Sequence, residues 1–458
     1  MSNSLNKHFE EQRGKRIAFC GLGRSNLPLI YMYKSFGAKV IACDRRSFEE
    51  LGETAVALKE SGVELSLGDN YLENLDAEIL FRTPGMNYNM PELKRLRDAG
   101  VIITSEMETF FDLCPCRIIA VTGSDGKTTT TTIISELLKA EGKTVHLGGN
   151  IGKPLLPEIF EINPDDYAVV ELSSFQLISM KKSPQIAVVT NITPNHLDVH
   201  KDMEEYIDAK KNIVRFQNSD NITVLNFNND ITRCFADELK SEIRFFNTNT
   251  KENNCIYRNS DSIYYNDQKV IDISDIAIPG EHNVENYMAA IGAVWGIVST
   301  ETISTVAKTF GGVAHRAELV REFNGVKYYN DSIASSPTRT IKGMLSLFEQ
   351  KIILICGGYD KNIPYEPLGP VINDKVKTLI LLGATGPKIE HSVVSASNYI
   401  KENIKIINAA TLEDAVRIAE DNSEAGDIVS LSPASASFDM FKDFEHRGNC
   451  FKELVNAL

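Results

Sequence analysis

The sequence predicts an α/β protein made of three successive blocks, each organised around a largely parallel sheet. Short β-branched runs alternate with longer amphipathic stretches, the signature of βα units, and the alternation restarts twice along the chain. Length agrees, because 458 residues are more than one hydrophobic core usually serves. Hydrophobic residues at 43% and charged residues at 24% are ordinary globular usage, which sets aside a disordered or fibrous chain. The 48 Lys and Arg against 62 Asp and Glu leave a formal charge of −14, which repels nucleic-acid phosphate and anionic lipid. Phosphate binding must therefore come from a local arrangement, and no nucleic-acid partner is expected.

The first block runs from Arg16 to about Thr104, with strands expected at Arg16–Cys20, Lys39–Cys43, Ala77–Phe81 and Val101–Thr104. Phe110–Cys116, which contains Pro115, reads as a linker. The second block opens with a strand at Arg117–Val121 and continues through Tyr167–Glu171 and Ile186–Thr190 to roughly Gly312. Within it, Ile222–Phe227, Ile243–Phe246 and Cys255–Tyr265 follow without long helices between them, which predicts a smaller subsheet. The third block has strands near Val326–Tyr329, Ile352–Cys356, Thr378–Leu382 and Asp427–Leu431, and a helix that opens at Thr411 on a Thr-x-x-Asp cap. The expected domains are 1–108, 109–312 and 313–458.

The first residues are polar and carry no apolar signal core, and no apolar run reaches the roughly 18–20 residues that span a bilayer. A cytoplasmic protein without membrane insertion is the expectation. Of the eight cysteines only Cys114 and Cys116 are close in sequence, and a one-residue spacing is not that of a zinc site. Reduced, mostly buried thiols follow.

The strongest local signal is VTGSDGKTTTTT, residues 121–132, between the strand ending at Val121 and a helix expected at Thr129–Glu141. Glycines let backbone N–H groups curl around a polyphosphate, a lysine reaches its β and γ oxygens, and a hydroxyl ligates magnesium. Gly123, Ser124, Asp125, Gly126, Lys127, Thr128 and Thr129 are thus candidate ATP contacts. The loop is a shortened version of the usual G-x-x-x-x-G-K-[ST] form, since Val121 stands where the first glycine would.

A second glycine-rich turn, CGLGRSN at 20–26, lies between a strand and a helix, and Asp44 ends the next strand. That resembles a dinucleotide-binding turn, but Asn26 replaces the third glycine, so a nucleotide site, a redox-cofactor site and a plain tight turn all remain open. Thr83, Pro84 and Gly85 of FRTPGM follow another apolar strand and are placed at the same carboxyl edge. Glu171 ends a buried strand in AVVELSSFQL, where a lone carboxylate is costly unless it meets a cation or donors; magnesium is the natural partner. TNITPNHLDVH places His196 and Asp198 after the neighbouring strand, with His196 either structural or part of the site. Lys210 and Lys211 of YIDAKKNI read, on composition alone, as a solvated helix face. Asn283 and Asn286 of EHNVENYMAA suit either helix capping or recognition of a base, since an amide offers donor and acceptor together.

TGSDGKT, ELSSFQL, NITPNHLDVH, YIDAKKNI, GEHNVENYMAA, AHRAELV, YYNDSIASSPT, CGGYDKN and LSPASASFDMFKDFEHRG occur in the order found in the Mur ligases, which the chain resembles along nearly its whole length. The resemblance implies three α/β domains: a Rossmann-like domain for the UDP of the substrate, a central P-loop ATPase and a Rossmann-like carboxyl-terminal domain for the amino acid. ELSSFQL and the closing motif are similar to the members that add D-glutamate to UDP-N-acetylmuramoyl-L-alanine in peptidoglycan precursor synthesis. Other amino-acid ligases of the family, a folylpolyglutamate synthase-like enzyme and a non-ligating ATP-binding regulatory module are the rival expectations. A monomer is expected.

Residue by residue, the resemblance implies that Gly23, Arg24, Ser25, Asp44 and Arg45 surround uridine and diphosphate, with Thr83, Gly85, Asn150, Gly152, Ser174 and Gln176 continuing along the substrate. It implies ATP contacts at Asn283, Asn286, His315, Arg316 and Asp331, and two magnesium ions held by Thr128, Glu171, His196 and a carbamylated Lys210. Lys127, His196 and Lys210 are the implied catalytic residues. Ser335, Lys361, Ser437, Phe438 and Phe444 align with positions around D-glutamate. One departure stands out: many relatives have NDSKAT where this chain has NDSIAS, so Ile333 replaces a lysine and Ser335 a threonine, with Arg339 nearby as a substitute charge.

Overall fold

The computed structural model describes residues 2–194, 200–248 and 254–458. It divides into two compact units, Met1–Asp275 with Glu281–Lys308, and Ile276–Gly280 with Thr309–Leu458. The first unit holds two sheets and the second unit one.

The first sheet contains β1 (Arg16–Cys20), β2 (Lys39–Asp44), β3 (Glu64–Leu67), β4 (Ile79–Arg82) and β5 (Ile102–Thr104), all parallel, in the order β3-β2-β1-β4-β5. A parallel sheet is covered on both faces, so its central strands are continuously apolar; β1, RIAFC, is buried from Ile17 to Cys20. From β1 the chain winds through β2 to β3 on one side and then crosses to β4 and β5 on the other, which opens a crevice at the carboxyl end of β1. Gly21 turns the chain there with φ +87, and a Cβ would come within 2.8 Å of the Thr83 side chain. Only glycine fits that turn.

The stretch 110–116 departs from the linker expectation. Glu106–Leu113 is a helix whose N-cap Ser105 accepts from Glu108 N–H, and Phe110 and Phe111 are buried. They join an apolar core that includes Phe19 and Phe81 of the first sheet, Ala168 of the second, and Leu155 and Leu156 at the start of the short helical turn Leu156–Glu161. A pair of aromatic anchors inside a shared core explains why this joint is ordered despite Pro115. Glu106 fastens the same joint: its Oε1 accepts from Leu155 N–H and Leu156 N–H at 2.8 and 2.9 Å. Burial pushes its pKa up, against those two bonds.

The second sheet is built from β6 (Arg117–Thr122), β7 (Val145–Gly149), β8 (Tyr167–Glu171), β9 (Ile186–Val189), β10 (Ile222–Asn226), β11 (Glu242–Thr248), β12 (Cys255–Asn259), β13 (Ser262–Tyr265) and β14 (Gln268–Asp272). Their order is β14-β13-β12-β11-β10-β9-β6-β8-β7. The pairing is parallel from β7 to β12 and antiparallel in β12, β13 and β14. The predicted single run Cys255–Tyr265 is therefore a hairpin, broken at Ser260, which adopts φ +52. The register pairs Val121 with Glu171 and Thr122 with Val189, so the ends of β6, β8 and β9 meet at one edge.

In the second unit, β15 (Glu318–Phe323), β16 (Val326–Asn330), β17 (Ile352–Cys356), β18 (Val376–Leu381), β19 (Lys405–Asn408) and β20 (Ile428–Leu431) are arranged β15-β16-β20-β17-β18-β19. Only the β15–β16 pair is antiparallel. The Thr411 cap forms as predicted, with Thr411 Oγ1 accepting from Asp414 N–H. The eight cysteines are thiols outside any disulfide, five of them buried.

Glu106→Ala would leave two buried N–H groups without an acceptor, a loss of about 1–3 kcal/mol for each. Denaturant unfolding should show Glu106→Ala destabilised by about 2–5 kcal/mol and Glu106→Gln, which keeps an acceptor oxygen, within about 1 kcal/mol of the parent.

Candidate active site

The helix Lys127–Ala140 begins directly after the glycine turn, two residues earlier than predicted. A helix start offers unpaired N–H groups and a positive dipole end to an anion. Two glycines make the turn possible. Gly123 adopts φ +153, and a Cβ on it would lie 1.9 Å from Thr190 Oγ1; Gly126 adopts φ +77, and its Cβ would lie 2.4 Å from Asn286 Oδ1. The end of β9 braces the turn: Asp125 N–H donates to Asn191 Oδ1, and Thr190 Oγ1 donates to Asp125 O. Ser124 is buried and its hydroxyl meets Tyr206 Oη at 2.9 Å. Thr129 lies half-buried in the first turn of the helix.

Two lysines converge on this loop. Lys127 Nζ donates to the carbonyls of Gly123 and Ser124 at 3.1 and 2.9 Å. Lys210 Nζ donates to the same Gly123 carbonyl at 2.7 Å and to Thr122 Oγ1 at 3.4 Å. Lys210 is thus not on a solvated face; it is 2% exposed and rests 4.8 Å from the centre of the Tyr206 ring. Burial, then the charge of Lys127, lower its pKa to about 7. Lys211, one residue on, points elsewhere and pairs with Glu238.

Glu171, 1% exposed, receives hydrogen bonds from Thr128 Oγ1 on one oxygen and from Asn150 Nδ2 on the other, both at 2.7 Å. Neither donor is charged. The Thr128 hydroxyl and the Glu171 carboxylate form an all-oxygen donor set of the kind magnesium prefers, and a cation there would balance a buried anion. His196 and Asp198 lie outside the described residues.

Asn283 and Asn286 sit within the first two turns of the helix Glu281–Val294, past the cap position. Asn286 Oδ1 accepts from Thr130 Oγ1 and its Nδ2 donates to Asn283 Oδ1, so the pair lies against the loop helix.

At the crevice of the first sheet, Asp44 accepts from Leu22 N–H and from two nitrogens of Arg46. Burial opposes its ionisation, but the Arg46 guanidinium and the N–H groups of Leu22 and Arg46 prevail and hold it at about 2. Arg45, the residue singled out from sequence, is exposed and pairs instead with Asp69. Gly23, Arg24 and Gly85 are exposed, and Ser25 and Thr83 are half-buried. Arg24 Nη1 reaches the Gly152 carbonyl at 3.4 Å. Ser174 is buried, and Gln176 closes a capping box on Ser173.

In the second unit, His315 has φ +64 and is fixed by its N–H on Glu318 and by Nδ1 facing Asn330 Nδ2 at 3.0 Å. Burial lowers its pKa. Asp331 is buried and accepts from Ser432 Oγ and Ala317 N–H; burial raises it to about 6 against those bonds and the charges of Arg316 and Arg339. Ser437 is buried, Phe444 half-buried, and Lys361 and Phe438 exposed. Phe438 meets Tyr359 edge-on at 6.0 Å. Ser335 follows Ile333, whose carbonyl accepts from Arg339 Nη1 at 3.3 Å. The guanidinium of Arg339 therefore lies over the backbone of the residue that replaces the lysine.

Two contributors, Arg46 and Arg447, escaped the sequence reading, and the contact of a third, Asn150, with Glu171 was not foreseen. Asn150 holds Glu171 rather than pointing only along a substrate. Arg46 neutralises Asp44. Arg447 is 1% exposed and donates to the carbonyls of Ser332, Ser435 and Ala436 and to Ser332 Oγ. It thereby ties the 332–335 turn to the 435–438 loop, and burial lowers its pKa to about 10. The signal for it was an arginine inside the closing FEHRG motif, but only its burial separates it from a surface charge.

A phosphate loop with a buried lysine and a carboxylate–hydroxyl pair at one sheet edge defines a nucleotide-dependent enzyme of the P-loop α/β class. The chain matches the Mur ligase middle domain over residues 121–294 and the Mur ligase glutamate ligase domain over residues 315–435. It is 52% identical to the UDP-N-acetylmuramoylalanine–D-glutamate ligase of Acetivibrio thermocellus, with 100% of both chains covered. The enzymes of the same name from Ruminiclostridium cellulolyticum (49% identity, 100% of both chains) and Clostridium kluyveri (50%, 97% of both) are similar. The chain belongs to the Mur ligase family. Its fold resembles that of the UDP-N-acetylmuramate–alanine ligase of Thermotoga maritima, with a TM-score of 0.59 at 18% identity over 97% of this chain and 99% of that one.

Gly126→Ala should lower MgATP affinity at least tenfold in calorimetric titration, because the methyl group collides with Asn286 under the loop. Gly142→Ala is the control: it has the same kind of backbone, φ +80, with nothing within 4 Å, and should bind within twofold of the parent.

Proposed function

We propose that the chain ligates D-glutamate to UDP-N-acetylmuramoyl-L-alanine at the expense of ATP, in the cytoplasmic stage of peptidoglycan precursor synthesis. The full-length likeness to ligases of that name supports the substrate pair. The observation that carries the chemistry is the convergence of Lys127 and Lys210 on one loop carbonyl beside the buried Glu171.

In the first step the alanine carboxylate attacks the γ-phosphorus of ATP, giving an acyl phosphate and ADP. Two anions must approach, so charge neutralisation and positioning dominate the barrier. Lys127, whose Nζ lies at the Gly123 and Ser124 carbonyls of the loop, is assigned to the β and γ oxygens. The N–H groups from Gly123 to Thr129 cradle the phosphates. Thr128 and Glu171 would hold magnesium, which when bound supplies positive charge to those oxygens. In the second step the amine of D-glutamate attacks the acyl carbon, a tetrahedral species forms, and phosphate leaves. Ser335, Lys361, Ser437, Phe438 and Phe444 are assigned to D-glutamate. Ile333 cannot bind a carboxylate, and Arg339, already over its backbone, supplies the missing cation. Asn283, Asn286, His315, Arg316 and Asp331 are assigned to the nucleotide. Gly23, Arg24, Ser25, Asp44, Arg45, Thr83, Gly85, Asn150, Gly152, Ser174 and Gln176 are assigned to the UDP-sugar.

Lys210 suits carbamylation. The reaction needs a neutral amine, and a pKa of about 7 provides one at physiological pH. The ammonium loses one proton, and addition of carbon dioxide to the resulting amine with loss of a second proton leaves an anion in place of a buried cation, one that would join His196 in holding a second magnesium.

Single-turnover phosphate release should require both UDP-N-acetylmuramoyl-L-alanine and D-glutamate and disappear in Lys127→Ala. Release indifferent to either substrate would point to a non-ligating ATPase. In ¹³C-bicarbonate, a carbamate resonance absent from Lys210→Arg should grow between pH 6 and 8, as the amine loses its proton; no such resonance across that range would remove the modification.

A further inference from the structure

His200 takes no part in the assignments above, yet it is 4% exposed and both of its ring nitrogens have partners. Its Nε2 lies 2.9 Å from Ser174 Oγ, and its Nδ1 lies 3.3 Å from Glu205 Oε2. One face stacks on Phe175 at a 4° interplanar angle, and Tyr206 meets the ring edge-on at 5.3 Å. A surface histidine needs none of these contacts, and a purely space-filling one needs no carboxylate.

Those neighbours lead to the site from three directions. Ser174 opens the short helix that follows Glu171. Tyr206 carries Lys210 over its ring and bonds its hydroxyl to Ser124 of the phosphate loop. Glu205 accepts on its other oxygen from Asn89 Nδ2, beyond the Thr83–Gly85 turn of the first sheet, and on Oε2 also from Lys201 N–H. Thr193 N–H in turn donates to Ser124 Oγ. The chain is thus tied to the phosphate loop at Thr193 and to the helix after β8 at His200, on either side of the stretch that carries His196.

We propose that His200 is a positioning residue for the ligation reaction: through Ser174, Glu205 and Tyr206 it holds the substrate-side turn, the phosphate loop and Lys210 in one register. The inference rests on the ligase reading. Acting through other groups, His200 would govern turnover and the use of magnesium more than ATP affinity. The tautomer that donates Nδ1–H to Glu205 leaves Nε2 to accept from the Ser174 hydroxyl.

The test is steady-state ligation by the full chain with His200→Phe, which keeps a stacking ring and loses both hydrogen bonds, and His200→Asn, whose amide nitrogen stands near Nδ1 and keeps the donation to Glu205. The expected result is a kcat at least tenfold lower for the phenylalanine variant, a severalfold higher magnesium concentration at half-maximal rate, and a KM for ATP within twofold of the parent. The asparagine variant should recover at least threefold of the lost kcat. A phenylalanine variant with parental kcat and magnesium dependence would overturn the proposal, as would losses that simply follow melting temperature. Should His200→Phe not fold, His200→Asn is compared with His200→Ala, and equal turnover in those two overturns it. Ligation absent from the wild-type chain defeats the ligase reading itself, whatever the variants do.

Discussion

Two ammonium groups share the carbonyl of Gly123, one from the loop and one from a helix more than eighty residues on. Burial first, and then repulsion from the Lys127 charge, lowers the pKa of Lys210 toward neutrality. Close by, the buried Glu171 carboxyl accepts hydrogen bonds from the uncharged side chains of Thr128 and Asn150. In the proposed reaction the edge of the second sheet receives charge that arrives with the reactants: phosphate oxygens for the lysines and a divalent cation for the carboxylate. Much of the surrounding structure serves to keep this edge in place.

That service is visible in polar groups that contribute little to a hydrophobic core. Thr190 and Asn191 hold the loop backbone, Asn150 orients Glu171, and Glu106 secures the joint through which both sheets of the first unit share an apolar core. In the second unit Arg447 has the same part, spending a buried guanidinium on four oxygens of two loops. Buried charges of this kind are costly to desolvate and costlier to strip of one partner, so they fix geometry even where they add little to stability.

Central strands were plain in the sequence. β1, β6, β8, β9 and β17 carry continuous apolar runs, because each is covered on both faces. The strands that escaped notice, β3, β7, β14, β15 and β19, are all sheet edges. An edge strand is half solvated and mixes polar residues into its pattern, as ELSL and KIIN do. The same limit applied to the site. Glycine spacing and Lys127 identified the phosphate loop, and Glu171 was conspicuous as a carboxylate closing an apolar strand. Lys210 looked like one more charge on a polar helix, because burial is a property of tertiary packing that a local pattern does not carry; family resemblance marked it where periodicity did not. Arg46 was passed over for its neighbour Arg45, since a turn decides which of two adjacent arginines faces Asp44.

The account depends on the loop charges making a carboxylate electrophilic. Substrate labelled with ¹⁸O in the alanine carboxylate tests this directly, by mass spectrometry of the inorganic phosphate released during ligation. Formation of an acyl phosphate transfers one labelled oxygen to each phosphate. Phosphate free of label, with amide formed at the normal rate, would contradict it.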